Sequence, residues 1–291
     1  MTQQTKQRPQ SDPGRPDAIE EFTNKYIIHQ ISSLLVAFFA KLGVHPNGVS
    51  LLGFISGWGA SYCYLQTPTA PDMAWYGFFS MILWHIFDGT DGKLARFTGK
   101  TSAVGKVIDG IADYAVFIVT YSALMMLMWD SWGWSAIALG VFGGMSHAMQ
   151  SARYEAEREF YNTIILGKNL SDAADTKAEG GVGSWLGRLQ DTYEKAQSGS
   201  KATRLALKLR DLPDDKQVAL KHEMAPLIEK NIHLWSVMCA NYRTILIFVG
   251  VYLGFPELYF LVEVTLLNLF LILLAGRTTR LYEQLDRMME E

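Results

Sequence analysis

Between residues 88 and 113 the chain reads DGTDGKLARFTGKTSAVGKVIDGIAD, and four aspartates punctuate it. Asp88 and Asp91 are three residues apart and Asp109 and Asp113 four apart, so on helices each pair shares a face. The link through Gly99, Thr101 and Gly105 is short enough to make the two helices neighbours, and the four carboxylates are expected to converge. Alone they would repel one another. A divalent cation removes that difficulty, and hard oxygen ligands suit Mg²⁺ or Mn²⁺. Two ions bridged by these carboxylates could hold a diphosphate and stabilise charge on an attacked phosphorus, which makes the stretch a candidate phosphoryl-transfer centre. Gly92 and Ala95, one turn past the first pair, and Gly105, four residues before Asp109, are small enough to let a flat base or a phosphate approach the backbone. Arg96 is placed to pair with diphosphate oxygens.

Other chemistries compete for these residues. An EF-hand would need oxygen side chains where Thr90 and Gly92 fall and a glutamate where Gly99 falls. A salt-bridge network with Lys93, Arg96, Lys100 and Lys106 would not account for the paired spacing. The acidic ion site of a transporter is the serious rival, although such sites usually lie near mid-bilayer and these aspartates fall at an expected helix mouth.

The elements that must position them are membrane helices. The chain has 291 residues, 49% of them hydrophobic, and uncharged runs extend over 46–71, 73–87, 114–129, 131–152, 244–256 and 264–276. About 20 residues cross the hydrocarbon layer, so we expect an all-α integral membrane protein with six transmembrane helices near 46–67, 73–97, 104–128, 132–157, 233–254 and 256–276. Tryptophans fall mostly near the expected ends, as an interfacial belt does. Lys and Arg are missing from 66–74 and 128–133 but abundant in 93–106, 153–232 and 277–291. The positive-inside rule then places both termini and the aspartates on the cytoplasmic side. No cleavable signal peptide is visible in the polar first 25 residues. A net charge of −3 gives no support for nucleic-acid binding. Cys63 and Cys239 fall within expected spans and are read as packing residues.

Residues 1–16 read as a disordered tail. Residues 17–43 read as an N-terminal interfacial amphipathic helix, with Ile27, Ile31, Leu34, Leu35 and Phe38 as its apolar stripe. A seventh span is the alternative. Gly43 stops this helix and Pro46 starts the next. Residues 44–159 are then the catalytic helices 1–4, 160–231 a charged cytoplasmic insert, 232–277 helices 5–6 and 278–291 a cytoplasmic tail. Within the insert, Ser184–Gln197 and Asp214–Lys230 have helical patterning. Leu205, Leu207, Leu209 and Leu212 interleave with Lys201, Arg204, Lys208 and Arg210, as in a membrane-surface or subunit-contact element; a solvated linker is the alternative.

At the aspartates the sequence resembles the CDP-alcohol phosphotransferase family. The family signature runs Asp, two residues, Asp-Gly, two residues, Ala-Arg, eight residues, Gly, three residues, Asp, three residues, Asp. Asp88, Asp91, Gly92, Ala95, Arg96, Gly105, Asp109 and Asp113 fill every position. Pro46-Asn47 with Ser50 is similar to the family's opening of the first span. The resemblance implies a CDP-linked donor, typically CDP-diacylglycerol, with its cytidine near Gly92 and Ala95 and its diphosphate on two Mg²⁺ or Mn²⁺ ions. It implies Asp88, Asp91 and Asp109 as ligands, and Asp113, also near the metals, as general base for the acceptor hydroxyl, with CMP leaving. It also implies a homodimer and, for a phosphorylated acceptor, basic residues on the acceptor phosphate. Arg153 and Arg243 are the candidates, with His147 and Gln150 beside Arg153 on one polar stripe. Each arginine has a structural alternative, pairing with Glu157 or Glu263. His85 reads as a packing or supporting residue. Choline and ethanolamine phosphotransferases share the motif, so the CDP group could carry the head group and a lipid the hydroxyl. A metal-ion transporter remains the reading of another class. The implied location is the bacterial inner membrane.

Overall fold

The structure, a computed structural model, describes residues 16–101, 103–167 and 200–290, without the side chains of 103–112 and 200–203. Helices make up its regular structure, and there is no strand among the described residues. In chain order these are a π-turn at Asn24–Ile28 leading into α1 (His29–Lys41), α2 (Pro46–Leu65), α3 (Met73–Thr98), α4 (Ala103–Trp132) and α5 (Trp134–Ile164). Then follow α6 (Ser200–Arg210), α7 (Asp214–Trp235), a 3₁₀ turn at Ser236–Met238, α8 (Ala240–Tyr252), α9 (Glu257–Val262), a π-turn at Glu263–Leu267 and α10 (Asn268–Met288). The expected tail at 1–16 (all but Pro16) and the expected helix at Ser184–Gln197 lie outside the described residues. The chain divides into two compact units, Met1–Leu127 with Phe248–Phe255, and Met128–Ile247 with Pro256–Glu291.

The expected spans coincide largely with helices, but the fifth is interrupted by the 3₁₀ turn at Ser236–Met238 and an extended Cys239. Three helical stretches, Asp113–Trp132, Asp214–Tyr252 and Glu257–Met288, are long and apolar enough to cross a membrane. α2 carries no charge over its 20 residues, but its glycines, serines, tyrosines and tryptophan lower its hydropathy. α3 and α5 end in charged turns. α2 nevertheless turns Leu51, Leu52, Ile55, Trp58 and Tyr62 outward, and α10 with its π-turn exposes Leu266, Leu269, Phe270, Ile272 and Leu273. Apolar faces of this extent are unfavourable in water and favourable in lipid.

In the first unit, short-range chemistry sets the helix ends. Gly43, at φ +67°, ends α1 in the left-handed conformation; its N–H bonds the Ala40 carbonyl and that of Val44 the Phe39 carbonyl, a Schellman closure. His45 then caps α2 by accepting from the Asn47 N–H at 3.2 Å, with Pro46 in the first helical position. Gly99, also at φ +67°, closes α3 in the same way, with Lys100 N–H on the Ala95 carbonyl. Val36, Phe39, Val49 and Leu94 form a core between α1, α2 and α3.

The two amphipathic segments fare differently. α1 buries Ser32, Val36 and Phe39, and Ile28 is buried in the π-turn before it, while Leu34 is 74% and Phe38 55% exposed. Apart from Leu35, which packs against the core, the expected stripe therefore faces away from the protein, where an interfacial helix meets lipid, and a second apolar face docks the helix. In α6 the correction is larger: Leu205 and Leu209 are buried where α6 packs on α5 and α10, so these two leucines serve the fold rather than an outside surface. Lys208 Nζ pins this packing to Asp286 at 2.6 Å and Glu290 at 2.8 Å. The expected tail at 278–291 continues α10 through Met288, and α7 begins at Asp214, well before the expected fifth span.

Candidate active site

α3 runs unbroken through Gly89 and Gly92, so Asp88 and Asp91 stand one helical turn apart on it. Asp91 is 4% exposed and Asp88 half-buried. Among the described residues, a methyl group built on Gly92 would meet within 4 Å only the end of the Arg96 side chain, at 3.6 Å. Gly92 thus opens a cradle beside the first aspartate pair, with a guanidinium at its edge. Ala95 is half-buried and Arg96 exposed on the next turn. α4 begins at Ala103, so Gly105, Asp109 and Asp113 recur along one continuous helix. Asp113 is half-buried; the surroundings of Gly105 and the side chain of Asp109 lie outside what the structure describes.

α2 holds both aspartate-bearing helices. Gly53 faces Phe87 and Trp84 of α3, and Gly57 faces Val116 of α4, with a built methyl only 2.5 Å from the valine. One turn on, Ser61 Oγ and Thr120 Oγ1 share a buried hydrogen bond of 3.0 Å. Small residues at 53, 57 and 61 are the four-residue repeat that lets membrane helices approach closely. The repeat is legible in the sequence but was not singled out there.

The donor set suits the expected metal. Aspartate oxygens are hard ligands of the kind Mg²⁺ and Mn²⁺ take, and Gly92 beside them adds no side-chain bulk. Among the described side chains no three His, Cys, Asp or Glu groups come together as a metal-holding cluster, and Asp109 is not among those side chains.

The residues expected to hold an acceptor lie in the second unit. Arg243 is fully buried and its donors are engaged. Nε bonds Glu263 Oε2 at 3.2 Å, Nη2 bonds Gln150 Oε1 at 2.7 Å, and Nη1 reaches Ser151 Oγ at 3.4 Å and the Met238 carbonyl. Gln150 donates in turn to the Glu263 carbonyl and to Asn268. Glu263 opens the π-turn, a helix irregularity that recurs at functional positions. Arg153, 5% exposed, pairs through Nη2 with Glu157 and lies 5.5 Å from the Trp235 ring. Among the described residues its Nε and Nη1 are buried without a hydrogen-bond partner. Glu157 also accepts from Tyr282 and from Asn231, and Thr278 takes a bond from Asn231 and one from Trp235. Both structural alternatives foreseen for the arginines are thus present, but only Arg153 keeps donors in reserve. His147 is half-buried beside this stripe. Beyond the expected spans, burial and then a hydrogen bond donated to Glu229 push the Tyr161 phenol up to about 12.

Residues 43–170 match the family model described as CDP-alcohol phosphatidyltransferase. Among curated proteins, choline/ethanolaminephosphotransferase 2 of Arabidopsis thaliana is 29% identical over 152 residues, which is 49% of this chain and 36% of that protein. The bifunctional IPC transferase and DIPP synthase of Archaeoglobus fulgidus is 29% identical over 148 residues, 50% of this chain and 28% of that protein. The chain therefore spans about a third of the length of these relatives, 36% and 28%. No solved structure matches.

Proposed function

We propose, from the match of residues 43–170 to the CDP-alcohol phosphatidyltransferase family model, that the protein is a metal-dependent phospholipid-synthesising transferase. It moves a phosphatidyl group from CDP-diacylglycerol to the hydroxyl of a small polar alcohol and releases CMP. The observation that carries this reading is the α3 segment in which Asp88, Asp91, Gly92, Ala95 and Arg96 lie on one uninterrupted helix, with open space at Gly92, inside the matched stretch.

Asp88, Asp91 and Asp109 would hold two Mg²⁺ or Mn²⁺ ions, and Asp113 stands near them. Bound there, the ions would neutralise the diphosphate and the charge that develops on its phosphorus. Gly92 and Ala95 leave the cytidine a flat approach to α3, and Arg96 binds diphosphate oxygens. Asp113 accepts the proton of the acceptor hydroxyl. Its oxygen then bonds the phosphorus remote from cytidine, and the bond from that phosphorus to the bridging oxygen breaks as CMP leaves with the electron pair. Positioning and electrostatics supply most of the acceleration in such transfers. Arg153, with Nε and Nη1 unspent, is the residue we assign to an anionic group on the acceptor, with His147 and Gln150 on the same helix; Arg243 is engaged with Glu263 and Gln150.

We place six spans in the membrane, α1 in the cytoplasmic interface, and the aspartates and both termini on the cytoplasmic side of a bacterial inner membrane. The family resemblance supports a homodimer. A second reading, transfer of a phospho-head group from CDP-choline or CDP-ethanolamine to a lipid hydroxyl, is favoured by the similarity to the plant choline/ethanolaminephosphotransferase.

The test is CMP release by purified protein with Mg²⁺ or Mn²⁺. CDP-diacylglycerol is offered with serine, glycerol phosphate, inositol, inositol phosphate, choline or no acceptor, and CDP-choline and CDP-ethanolamine with diacylglycerol. Release stimulated by one alcohol supports the first reading, and release only from the CDP-head-group donors supports the second. Metal flux in liposomes without CMP release would replace both with a transporter.

A further inference from the structure

The signature leaves four positions open between Asp88 and Arg96, and in this chain they hold Gly89, Thr90, Lys93 and Leu94. These residues lie on the side of α3 that meets α1. Ser32 of α1, wholly buried, donates through Oγ to the Ile86 carbonyl at 3.0 Å. Thr90 Oγ1 donates to the same carbonyl at 2.6 Å. A methyl group on Gly89 would stand 3.0 Å from Ser32 Oγ, so this close approach depends on glycine. Lys93 Nζ reaches across to the His29 carbonyl at 3.1 Å and to Ser33 Oγ at 3.3 Å. Leu94, fully buried, packs with Val36 and Phe39. Gly89, Lys93 and Leu94 thus face α1 while Thr90 bonds back to the carbonyl that Ser32 also reaches, and the signature residues alternate with them along the same two turns.

We propose that α1 braces the metal-binding turn of the transferase, with Ser32 as a positioning residue that holds the Ile86–Asp91 backbone, and so the Asp88 and Asp91 carboxylates, in the geometry the ions require. This rests on the assignment of Asp88 and Asp91 as metal ligands. Ser32 acts only through the helix backbone and does not touch substrate. Residues behind metal ligands set ligand orientation, and their loss commonly weakens metal affinity tenfold or more. The hydroxyl of Ser32 adds a further donor to a carbonyl two residues before Asp88, and the Lys93 contacts fix the turn two residues after Asp91. Interfacial α1 and the phosphoryl-transfer site are then one mechanical unit.

The experiment is a Mn²⁺ titration of the purified full chain, followed by the paramagnetic resonance of the unbound ion, together with the Mn²⁺ dependence of CMP release. Ser32→Ala is expected to raise the half-saturating Mn²⁺ concentration about tenfold, while the melting temperature and the donor KM at saturating Mn²⁺ stay close to wild type. Gly89→Ala is expected to do more harm than Ser32→Ala. The double variant Gly89→Ala/Ser32→Ala should return to the level of Ser32→Ala, because removing the hydroxyl leaves the new methyl in ordinary contact with the Ser32 Cβ, 3.8 Å away. Lys93→Ala, a change at a half-buried side chain, serves as the variant that folds and should shift Mn²⁺ binding in the same direction. Unmoved Mn²⁺ binding in Ser32→Ala and Lys93→Ala, or a double variant no better than Gly89→Ala, overturns the proposal. Wild-type protein that binds Mn²⁺ but releases no CMP from any donor overturns the transferase reading instead and leaves the bracing measurable.

Discussion

Replacing Gly57 by alanine tests whether α2 sets the place of Asp113, the residue proposed as the base. The added methyl would lie 2.5 and 2.6 Å from the two Cγ atoms of Val116 and 3.1 Å from its Cβ, distances that real side chains do not tolerate. Val116 cannot rotate away, because it is fully buried and a β-branched residue in a helix keeps essentially one χ1. The helices must separate, and overpacking of this kind costs about 1–3 kcal/mol. Val116 is one turn after Asp113, so separation of α2 from α4 carries the carboxylate with it. A misplacement of about 1 Å costs on the order of 100-fold in turnover. Gly59→Ala is the control on the same helix, since nothing among the described residues lies within 4 Å of a methyl there; it should be neutral or slightly stabilising. The assay pairs thermal unfolding, followed by tryptophan fluorescence in detergent, with kcat for CMP release. Gly57→Ala should melt lower and turn over far more slowly than Gly59→Ala, and adding Val116→Ala should recover part of both losses. Equal behaviour of the Gly57 and Gly59 variants would refute the reasoning.

Asp113→Asn should keep donor and Mn²⁺ binding better than turnover, whereas Asp88→Asn should weaken metal activation and donor binding together; normal turnover in the first or normal metal activation in the second removes its assigned role. Arg243→Leu leaves Glu263 buried with its charge uncompensated and should destabilise by about 3–5 kcal/mol, while Arg243→Leu/Glu263→Leu should be milder in thermal unfolding. Near Lys208 the Asp286 carboxyl is held below its ordinary 3.8, chiefly by the hydrogen bond from Lys208, and Lys208 is raised above its ordinary 10.5 by its bonds to Asp286 and Glu290. The depressed carboxyl contributes stability above 3.8 that is lost as pH falls through its folded value, and the raised amine contributes below 10.5 and fades as pH rises through its own. Arg204, 3.7 Å from Asp286, acts in the same direction on the acid side. Unfolding curves of Lys208→Gln should therefore approach wild type at both pH extremes and lie below it between them; a constant gap across pH would contradict the pairing.

Much of what was legible in the sequence is local. The ends of α1, α2 and α3 follow from Gly43, Pro46 and Gly99, because a left-handed glycine or a proline acts within one turn of its own position. The shared face of Asp88 and Asp91 follows from their spacing once the segment is helical. The insert was less legible: leucines interleaved with charge read equally as a surface element, and packing on α5 and α10 decided that Leu205 and Leu209 are buried.

By itself, then, the amino-acid sequence determined the helical, membrane-seeking character of the chain and a signature that names a chemistry, since both are written in residue type and short-range order. Tertiary structure decided which partners those residues keep. It engaged Arg243 with Glu263 and Gln150 but left two donors of Arg153 unspent. It turned the outer stripe of α1 away and applied Ser32 to the back of the aspartate turn. Gly57 became the contact that sets α4 against α2. Such pairings join residues tens of positions apart, and hydropathy, charge and spacing along one helix say that a face is buried without saying against what.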